Sequence, residues 1–368
     1  MTAAVHQFVP TFEPGATGAH MLELRRLVRE DLGLESEIFT EHIRGEYATL
    51  RDGAHRYTDY GAAVTARPDD VLVYQMAIGS VVADFVRDRV EQSPHRMLVI
   101  NYHNFTPMRY LQAWDHGVTW GVEWGMRQLR ELAPLTTLGI AVSVFNEADL
   151  RDAGYDRTTV VPVLCDLDAM GATVDTDLER RLKETKRGTD WFFIGRIAPN
   201  KCQHDIVKAF AAYRSLYDDA SRLWLVGGSS SATYLRALTE TIDDLGLAGA
   251  ATLTGALPQE AVNAYFRVAD AFVCLSEHEG FCVPIVESWW HRVPVIAFAA
   301  AAVPETVGDG GLLLRSKRPA TAAAAVNRVA RDTQLAGALV EQGSRRLERF
   351  SLPSTRARFA DALRPLLA

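Results

Sequence analysis

The amino-acid sequence predicts an α/β protein made of two doubly wound domains, each built on a parallel sheet, that face each other across a cleft. Short apolar, β-branched segments alternate along the chain with amphipathic segments of helical period, which is the pattern of parallel βαβ units. The chain has 368 residues. At roughly 100–200 residues per domain, two hydrophobic cores are expected for this length.

The first half contains six predicted strands and four predicted helices. The strands are Ala4–Val9, Glu35–Thr40, Val71–Met76, Arg96–Tyr102, Leu138–Phe145 and Thr159–Leu164. The helices are Gly18–Leu32, Ser80–Gln92, Arg109–Leu132 and Glu147–Ala153. We therefore place the first domain at residues 1–165.

A polar, charged segment without a strand signal follows Leu164, and we interpret it as the linker and the opening of the second domain. The alternation then resumes. The strands are Trp191–Ile197, Leu223–Val226, Ala251–Thr254, Ala271–Leu275, Val293–Phe298 and Leu312–Leu314. The helices are His204–Leu216, Ala232–Leu245, Gln259–Val268, Pro284–Trp290 and Ala320–Ala330. The second domain spans residues 166–350, and residues 351–368 are predicted as a helix that packs back on the first domain.

The composition excludes several classes of protein. With 39 Lys and Arg against 46 Asp and Glu, the net charge is −7, which argues against a surface that binds nucleic acid or anionic lipid throughout. The cysteines form no C-x-x-C pair and predict neither a disulfide framework nor a zinc site. The N-terminus lacks a basic region before an apolar stretch, and no run of about 18 apolar residues occurs. We expect a cytoplasmic protein, with peripheral contact at the inner membrane face as an alternative.

The densest functional signal is the segment 275–284, LSEHEGFCVP, where a strand gives way to a polar loop and then a helix starting near Pro284. Backbone N–H groups at a helix N-terminus beside a glycine suit phosphate oxygens. Glu279 precedes the helix and Glu287 lies inside it, roughly 10 Å away if the backbone between them is mostly helical. A pyrophosphate fits between them, with Glu287 at a ribose diol. Alternatively, Glu287 faces solvent and Glu279 is a favourable N-terminal charge.

A second segment, FIGRIAPNK at 193–201, carries two cations at the carboxyl end of another strand. Arg196 follows the strand glycine Gly195, and Lys201 lies five residues further on, before a helix. Both should therefore reach the same edge as Glu279. A guanidinium and an ammonium placed there can neutralise a diphosphate leaving group without a metal ion, although a solvated Arg or Lys on a loop is the simpler alternative.

These segments, together with AVPETVGDGGLLL at 302–314, resemble the retaining GT-B glycosyltransferases of glycosyltransferase family 4 (glycosyltransferase group 1). The hallmark of that family is two glutamates separated by seven residues, and Glu279 and Glu287 fit it. The resemblance covers residues 191–314 strongly and the first half more loosely. It implies two Rossmann-like domains, the GT-B fold.

The resemblance also implies roles for individual residues. Arg196 and Lys201 should hold the donor pyrophosphate, Glu287 the ribose and Glu279 the transferred sugar. The other donor-binding positions are backbone positions: Gly195, the base-bordering Gly255, Ala256 and Leu257, and the phosphate-lining Gly280, Phe281, Cys282 and Val283.

Two residues of the first half complete the predicted site. The Gly18 amide is expected near the donor phosphate, although the adjacent glycine pair common in this family is absent. His103, in NYHNFTP at the end of a buried strand, should lie near the sugar hydroxyls and the reacting centre. A turn at Gly18 and a core or capping role for His103 are the alternatives. Asn104 and the segment 143–150 also resemble this family.

The implied reaction moves a sugar from a UDP- or GDP-linked donor to a hydroxyl acceptor with retention at the anomeric carbon. No obvious pair of carboxylates about 5 Å apart suggests a glycosidase-type nucleophile. We therefore expect front-face attack, in which the departing phosphate takes the acceptor's proton. We expect no metal and no cofactor. The two D-x-D triplets, at Asp166 and Asp168 and at Asp175 and Asp177, fall in the predicted linker and are interpreted as solvated charges.

The acceptor stays open: a saccharide, a lipid-linked saccharide or a small molecule. Trp114, Trp120 and Trp124, with two arginines at 127 and 130, either border a lipid-linked acceptor or pack in the core. Nucleic acid is not expected as a partner. Two other function classes remain: a nucleotide-sugar epimerase or hydrolase of related fold, and a non-catalytic nucleotide-sugar binding protein.

Overall fold

The chain divides into two units that are not contiguous in sequence. The structure is a computed structural model that describes residues 4–45, 47, 53–93 and 95–367. One unit comprises residues 1–108, 117–166 and 349–368, and the other comprises residues 109–116 and 167–348. The segment 109–116, predicted as part of the first domain, is therefore assigned to the second unit.

The first unit contains a parallel sheet with strand order β3-β2-β1-β4-β5-β6-β7. Its strands are β1 Val5–Phe12, β2 Ile38–Ile43, β3 His55–Arg56, β4 Val71–Met76, β5 Met97–Tyr102, β6 Leu138–Ala141 and β7 Thr158–Val160. The helices that follow them are α1 Ala16–Glu30, α2 Val81–Glu91, α3 His116–Leu132 and α4 Val144–Asp152. The strand order reverses direction between β1 and β4, which makes the carboxyl ends of these strands a topological switch point.

The second unit repeats this plan with the order β10-β9-β8-β11-β12-β13, again all parallel. Its strands are β8 Asp190–Ile194, β9 Arg222–Val226, β10 Ala251–Gly255, β11 Ala271–Cys274, β12 Val295–Phe298 and β13 Leu312–Leu314. Its helices are α5 Leu167–Gly171, α6 Thr176–Thr185, α7 Gln203–Leu216, α8 Ala232–Asp244, α9 Gln259–Val268, α10 Val283–Trp290, α11 Val303–Val307 and α12 Pro319–Arg331. The predicted fold class, two Rossmann-like parallel-sheet domains, is confirmed.

The chain ends with α13 Thr333–Phe350 and α14 Leu352–Leu363, which returns to the first unit. Phe359 and Leu363 are fully buried in the core that also contains Val5, Leu24 and Val71. On the surface of the same helix, the Arg356 guanidinium donates to Asp31 at 2.9 Å and to Glu30 at 3.0 Å, both at the end of α1. Helix α14 therefore completes the core of a unit that is otherwise built from the first half of the chain.

The predicted helix 109–132 is wrong in its first part, because α3 begins only at His116. The preceding segment packs on the second unit. The Trp114 ring meets Tyr234 edge to face at a centroid distance of 5.2 Å, and its carbonyl oxygen accepts a hydrogen bond from the Ser231 hydroxyl at 2.9 Å. These contacts hold residues 111–115 in a turn between the 3₁₀ helix Met108–Tyr110 and the start of α3, which their apolar spacing does not reveal.

Side-chain caps shift other predicted boundaries. The strand predicted at 138–145 ends at Ala141, because the Ser143 hydroxyl accepts from the Asn146 amide and starts α4. The strand predicted at 159–164 shortens to β7. The predicted linker folds into α5 and α6, and Asp175 caps α6 by accepting from the Leu178 amide at 2.8 Å.

Helix α3 presents an aromatic and cationic face. Trp120 is 59% exposed and lies 5.0 Å from the half-buried Trp124, with Arg127 and Arg130 exposed on the same helix. Within the part of the chain that the structure describes, no helix combines the length and the apolar character that crossing a membrane requires.

Replacing Phe359 by Ala removes a fully buried ring from the first unit. We expect the free energy of unfolding to fall by about 3–5 kcal/mol, the usual cost of a cavity of this size. Asp361→Ala on the same helix is the control. It removes only an exposed ion pair with Arg364 and should cost under about 1 kcal/mol. Urea denaturation measures both, and equal losses would contradict the packing role of α14.

Candidate functional site

Two loops of the second unit meet at its topological switch point, one after β8 and one after β11. The Asn200 side chain donates to the His278 carbonyl oxygen at 3.0 Å, and the Glu277 amide donates to the Asn200 carbonyl oxygen at 2.9 Å. Asn200 and His278 are both buried. This reciprocal pair of hydrogen bonds joins the segment that carries the predicted cations to the segment that carries Glu279.

Lys201 and Glu279 form a buried ion pair at this junction. The Lys201 ammonium donates to Oε2 of Glu279, and the two side chains are only 21% and 7% exposed. Burial alone lowers the pKa of Lys201, but the Glu279 carboxylate and the neighbouring Cys282 and Cys274 raise it above its ordinary value. Lys201 is therefore a firmly charged ammonium at neutral pH, as a group that binds an anion must be.

Arg196 lies at the same strand end but is exposed to solvent. Its backbone carbonyl accepts a hydrogen bond from the Gln203 side chain at 3.0 Å, whereas its guanidinium bonds to no other residue that the structure describes. A guanidinium on a fixed backbone, with its donors uncommitted, is well suited to bidentate recognition of a phosphate.

The close approach of two backbone segments explains the glycines Gly195 and Gly227 at the ends of strands β8 and β9. Gly195 has φ of 147° and donates its amide to the Val226 carbonyl at 3.0 Å. A Cβ on Gly227 would lie 2.1 Å from the Gly195 carbonyl oxygen, so only glycine fits there. The end of β10 joins this arrangement because Gly227 donates to the Gly255 carbonyl at 3.0 Å. Gly255 and Ala256 are exposed and Leu257 is half-buried.

The loop 279–282 leads directly into α10. Its backbone is anchored through carbonyl oxygens: Phe281 accepts from the Thr306 hydroxyl at 2.7 Å, and Glu279 accepts from the Ala302 amide at 3.3 Å. Cys282 adopts φ of 74° immediately before Val283 starts the helix, and Gly280 lies between the two anchors. The helix N-terminus is therefore held at the same edge as Lys201, where its amides and dipole favour an anion.

Glu287 is buried inside α10, which excludes the alternative of a solvent-facing helix residue. Burial raises its pKa to about 7, and a hydrogen bond from Gln259 partly opposes this rise. A buried carboxyl with a neutral amide partner retains capacity to accept hydrogen bonds, which is what a diol donates.

A second ion network supports the loops, and the sequence analysis missed it. The Lys317 ammonium donates to Asp205 Oδ2 at 2.7 Å and to Glu277 Oε1. Burial lowers the pKa of Lys317, but these two hydrogen bonds raise it well above its ordinary value. Lys317 follows β13 at the carboxyl edge of the sheet, and this position was the signal that could have revealed it.

His103 of the first unit ends a row of polar side chains that we call the polar row: Gln7, Gln75, Asn101, His20 and His103. The row crosses the three central strands β1, β4 and β5 and is mostly buried. The Gln7 amide donates to the Met21 carbonyl at 2.9 Å, the Gln75 amide donates to Gln7 Oε1 at 2.9 Å, and Gln75 Oε1 lies 2.7 Å from Nε2 of His103.

This chain of amides assigns the tautomer of His103. Because the Met21 carbonyl can only accept, each amide is fixed in turn, and the His103 proton lies on Nε2. Burial lowers the pKa of His103 to about 4, so the ring is neutral at pH 7 and Nδ1 is an acceptor. The sequence analysis singled out only His103 of this row. The polar residues within apolar strands, Gln7, Gln75 and Asn101, were the signal that could have revealed the others.

Gly18 lies in the first turn of α1 and is buried. A Cβ there would lie 2.1 Å from the Glu13 carbonyl oxygen and 2.7 Å from the Tyr47 ring. Packing thus accounts for the glycine at this position without reference to a ligand.

Among the described residues, none of the four linker aspartates belongs to a group of three side chains that could supply metal ligands, and three of the four have partners in the protein. Asp175 caps α6, Asp177 pairs with Arg180 at 2.9 Å, and Asp168 accepts from the Trp290 indole at 3.0 Å. The groups of three side chains that could supply ligands, within the described ranges, are Cys202, His204 and Asp205, and Cys274, Glu279 and Cys282.

Comparisons with known proteins find similarity to glycosyltransferases. Residues 175–346 match the family model of the glycosyl transferases group 1. A D-inositol 3-phosphate glycosyltransferase of Frankia alni is 26% identical, with 87% of each chain covered. Sucrose-phosphate synthase of Thermosynechococcus elongatus superposes with a TM-score of 0.77 at 19% identity, covering 99% of both chains. Anabaena HepE in complex with UDP-glucose superposes with a TM-score of 0.76 at 19% identity, covering 98% of this chain and 99% of its own.

Replacing Glu287 by Gln should change how stability depends on pH. Because burial raises the Glu287 pKa to about 7 from 4.5, its contribution is fully present below pH 4.5 and is lost as the pH rises through 7. We therefore expect the variant to gain about 3 kcal/mol relative to wild type between pH 4 and 9. Urea denaturation across this range measures the gain. Glu260→Gln, at an exposed position of α9, should show no such trend, and a parallel trend in both variants would contradict the burial argument.

Proposed function

Since the chain is a glycosyltransferase with the GT-B fold, we propose that it transfers a sugar from a nucleoside-diphosphate sugar, UDP- or GDP-linked, to a hydroxyl acceptor with retention at the anomeric carbon. The observation that carries the proposal is the buried Lys201–Glu279 ion pair beside the uncommitted Arg196 at the switch point. Parallel α/β sheets bind their ligands at this position.

The charges of the second unit suit a diphosphate. Lys201 supplies a permanent positive charge, Arg196 supplies a planar fork of donors, and the α10 N-terminus supplies backbone N–H groups. Negative charge develops on the diphosphate as the glycosidic bond breaks. Donors that are already fixed in place stabilise that charge without reorganising, which is usually the largest contribution to catalysis.

Glu279 and Glu287 bind different parts of the donor. The Glu279 carboxylate, held by Lys201, accepts hydrogen bonds from the hydroxyls of the transferred sugar. Glu287 accepts from the ribose diol, and the segment 255–257 borders the base. Glu279 is unsuited to act as a covalent nucleophile because its charge is neutralised by Lys201, and this supports front-face attack with the departing phosphate accepting the proton.

His103 contributes an acceptor for a substrate hydroxyl. Its Nδ1 carries the lone pair of a neutral ring whose other nitrogen is held by Gln75, and this Nδ1 bonds to no residue that the structure describes. The polar row fixes the ring orientation, so this acceptor is in place before substrate arrives.

The comparisons suggest which substrates to try first. HepE was solved with UDP-glucose, and the Frankia alni relative is named for D-inositol 3-phosphate. UDP-, GDP- and ADP-sugars are therefore offered as donors, with inositol 3-phosphate among the acceptors. Release of nucleoside diphosphate that depends on an acceptor supports the transferase. Isomerised donor without acceptor indicates an epimerase, and binding without turnover of any donor indicates a binding protein.

Lys201→Ala should lower turnover by about 10²–10³-fold, because it removes a fixed positive charge from the diphosphate. Lys208→Ala is the matched control, since Lys208 is exposed on the adjacent helix α7. Nucleoside diphosphate release measures both variants, and circular dichroism checks that they fold. Near-normal turnover in Lys201→Ala would remove this residue from the mechanism.

Turnover should persist in EDTA, because Arg196, Lys201 and the helix amides supply the charge that a divalent ion supplies in other transferases. The measurement is nucleoside diphosphate release with and without chelator. Loss of turnover that magnesium or manganese restores would show that the reaction depends on a metal.

A further inference from the structure

Two buried cysteines of the second unit bracket the loop that carries Glu279. Cys274 is the last residue of β11 and Cys282 immediately precedes α10. Their sulfur atoms are 4.0 Å apart, and the residues are 1% and 8% exposed. Neither is part of a disulfide, and the same holds for Cys165 and Cys202. A bond between the two sulfurs would therefore close a ring that contains the loop 275–281.

The surroundings argue against a metal in this place. Cys274, Glu279 and Cys282 bring three potential ligand atoms within 4.8 Å of one another. However, the Lys201 ammonium already bonds to the Glu279 carboxylate. A divalent cation here would have to displace that ammonium or would be repelled by it. We therefore interpret the two thiols as reactive groups rather than as metal ligands.

We propose that Cys274 and Cys282 form a reversible intramolecular disulfide on oxidation by hydrogen peroxide, and that this disulfide shuts off the donor site. The second half of the statement rests on the proposed function, whereas the disulfide itself does not. The two cysteines do not form a CxxC motif, so the sequence alone does not indicate the pair. The fold brings the two thiols together, because one lies at the carboxyl end of a central strand and the other at the start of the next helix.

The reaction balances with peroxide alone. One thiol, as its thiolate, attacks one oxygen of the peroxide and the O–O bond breaks. The proton that the thiol had lost passes to the departing hydroxide, so the products are a sulfenic acid and one water. The second thiol attacks the sulfenic sulfur, the S–S bond forms, and a second water leaves. The two thiols lose two electrons in all, and peroxide gains them. The hydrogen bond between the two thiols lowers the Cys274 pKa, which favours its thiolate.

Bond formation must move the loop. A disulfide brings the sulfurs to about 2.05 Å, so the present gap must shorten by about 2 Å. Cys274 is held in a central strand that pairs with β8 on one side and β12 on the other. We therefore expect the parts that move to be Cys282, the loop that precedes it and the first turn of α10. Glu279 and the phosphate-facing amides shift with that loop.

The experiment compares reduced and peroxide-treated protein. The full chain is reduced, freed of reductant, exposed to hydrogen peroxide, alkylated in denaturant and mapped by mass spectrometry. We expect one cross-linked peptide pair joining Cys274 to Cys282, with Cys165 and Cys202 still alkylated, and dithiothreitol should restore all four thiols. Four alkylated cysteines after peroxide, or oxidation confined to Cys202, would overturn the proposal.

Single-cysteine variants distinguish a specific Cys274–Cys282 cross-link from oxidation at the other cysteines. Cys274→Ala and Cys274→Ser, two small replacements that remove the thiol and keep the backbone of β11, should abolish the cross-link. Cys165→Ala, in the first unit, should leave it intact. A cross-linked product in both Cys274 variants would show that another cysteine is involved and would refute the assignment.

Turnover is a separate readout. We expect nucleoside diphosphate release to fall at least about tenfold in the oxidised protein, to recover with dithiothreitol, and to resist peroxide in the Cys274 variants. Equal turnover of the cross-linked and reduced forms would refute the shut-off while leaving the disulfide established. If the reduced protein turns over no donor, the proposed function fails, and the cross-linked peptide still decides whether the disulfide forms.

Discussion

The buried ion pair between Lys201 and Glu279 is the interaction on which the arrangement of the second unit depends. Removing two charges from water costs several kcal/mol per ion, and their attraction offsets this cost only when both groups are held in good geometry. The Asn200 hydrogen bonds and the Lys317 network supply that geometry by joining the loop after β8 to the loop after β11. The chemistry of the site therefore relies on residues that need not touch a substrate.

The two units carry different kinds of polar side chains at the carboxyl ends of their strands. The second unit gathers charges, whereas the first unit uses the neutral polar row, in which burial keeps His20 and His103 uncharged. A neutral row can be buried because Gln7 and Gln75 each donate and accept a hydrogen bond within it. The result is a histidine whose tautomer is assigned by a carbonyl on α1, several hydrogen bonds away.

Much of the fold was predictable because parallel strands that are buried on both faces appear as apolar runs. Strands β4, β8 and β13 were located to within a few residues on this basis. The errors occur where a side chain overrides the pattern. Ser143 caps a helix inside a predicted strand, Asp175 caps one inside a predicted linker, and Trp114 anchors its segment to the second unit.

By itself, the sequence determined the two α/β domains, and it predicted the segments, cations and carboxylates of the candidate site. These features follow from periodicity and from residue type at strand ends, which are local properties. Only the tertiary structure decided that Lys201 pairs with Glu279, that Glu287 is buried, and that Cys274 lies beside Cys282. Distances between loops depend on how strands pair across the sheet, and the strand order β10-β9-β8-β11 is not encoded in any single segment.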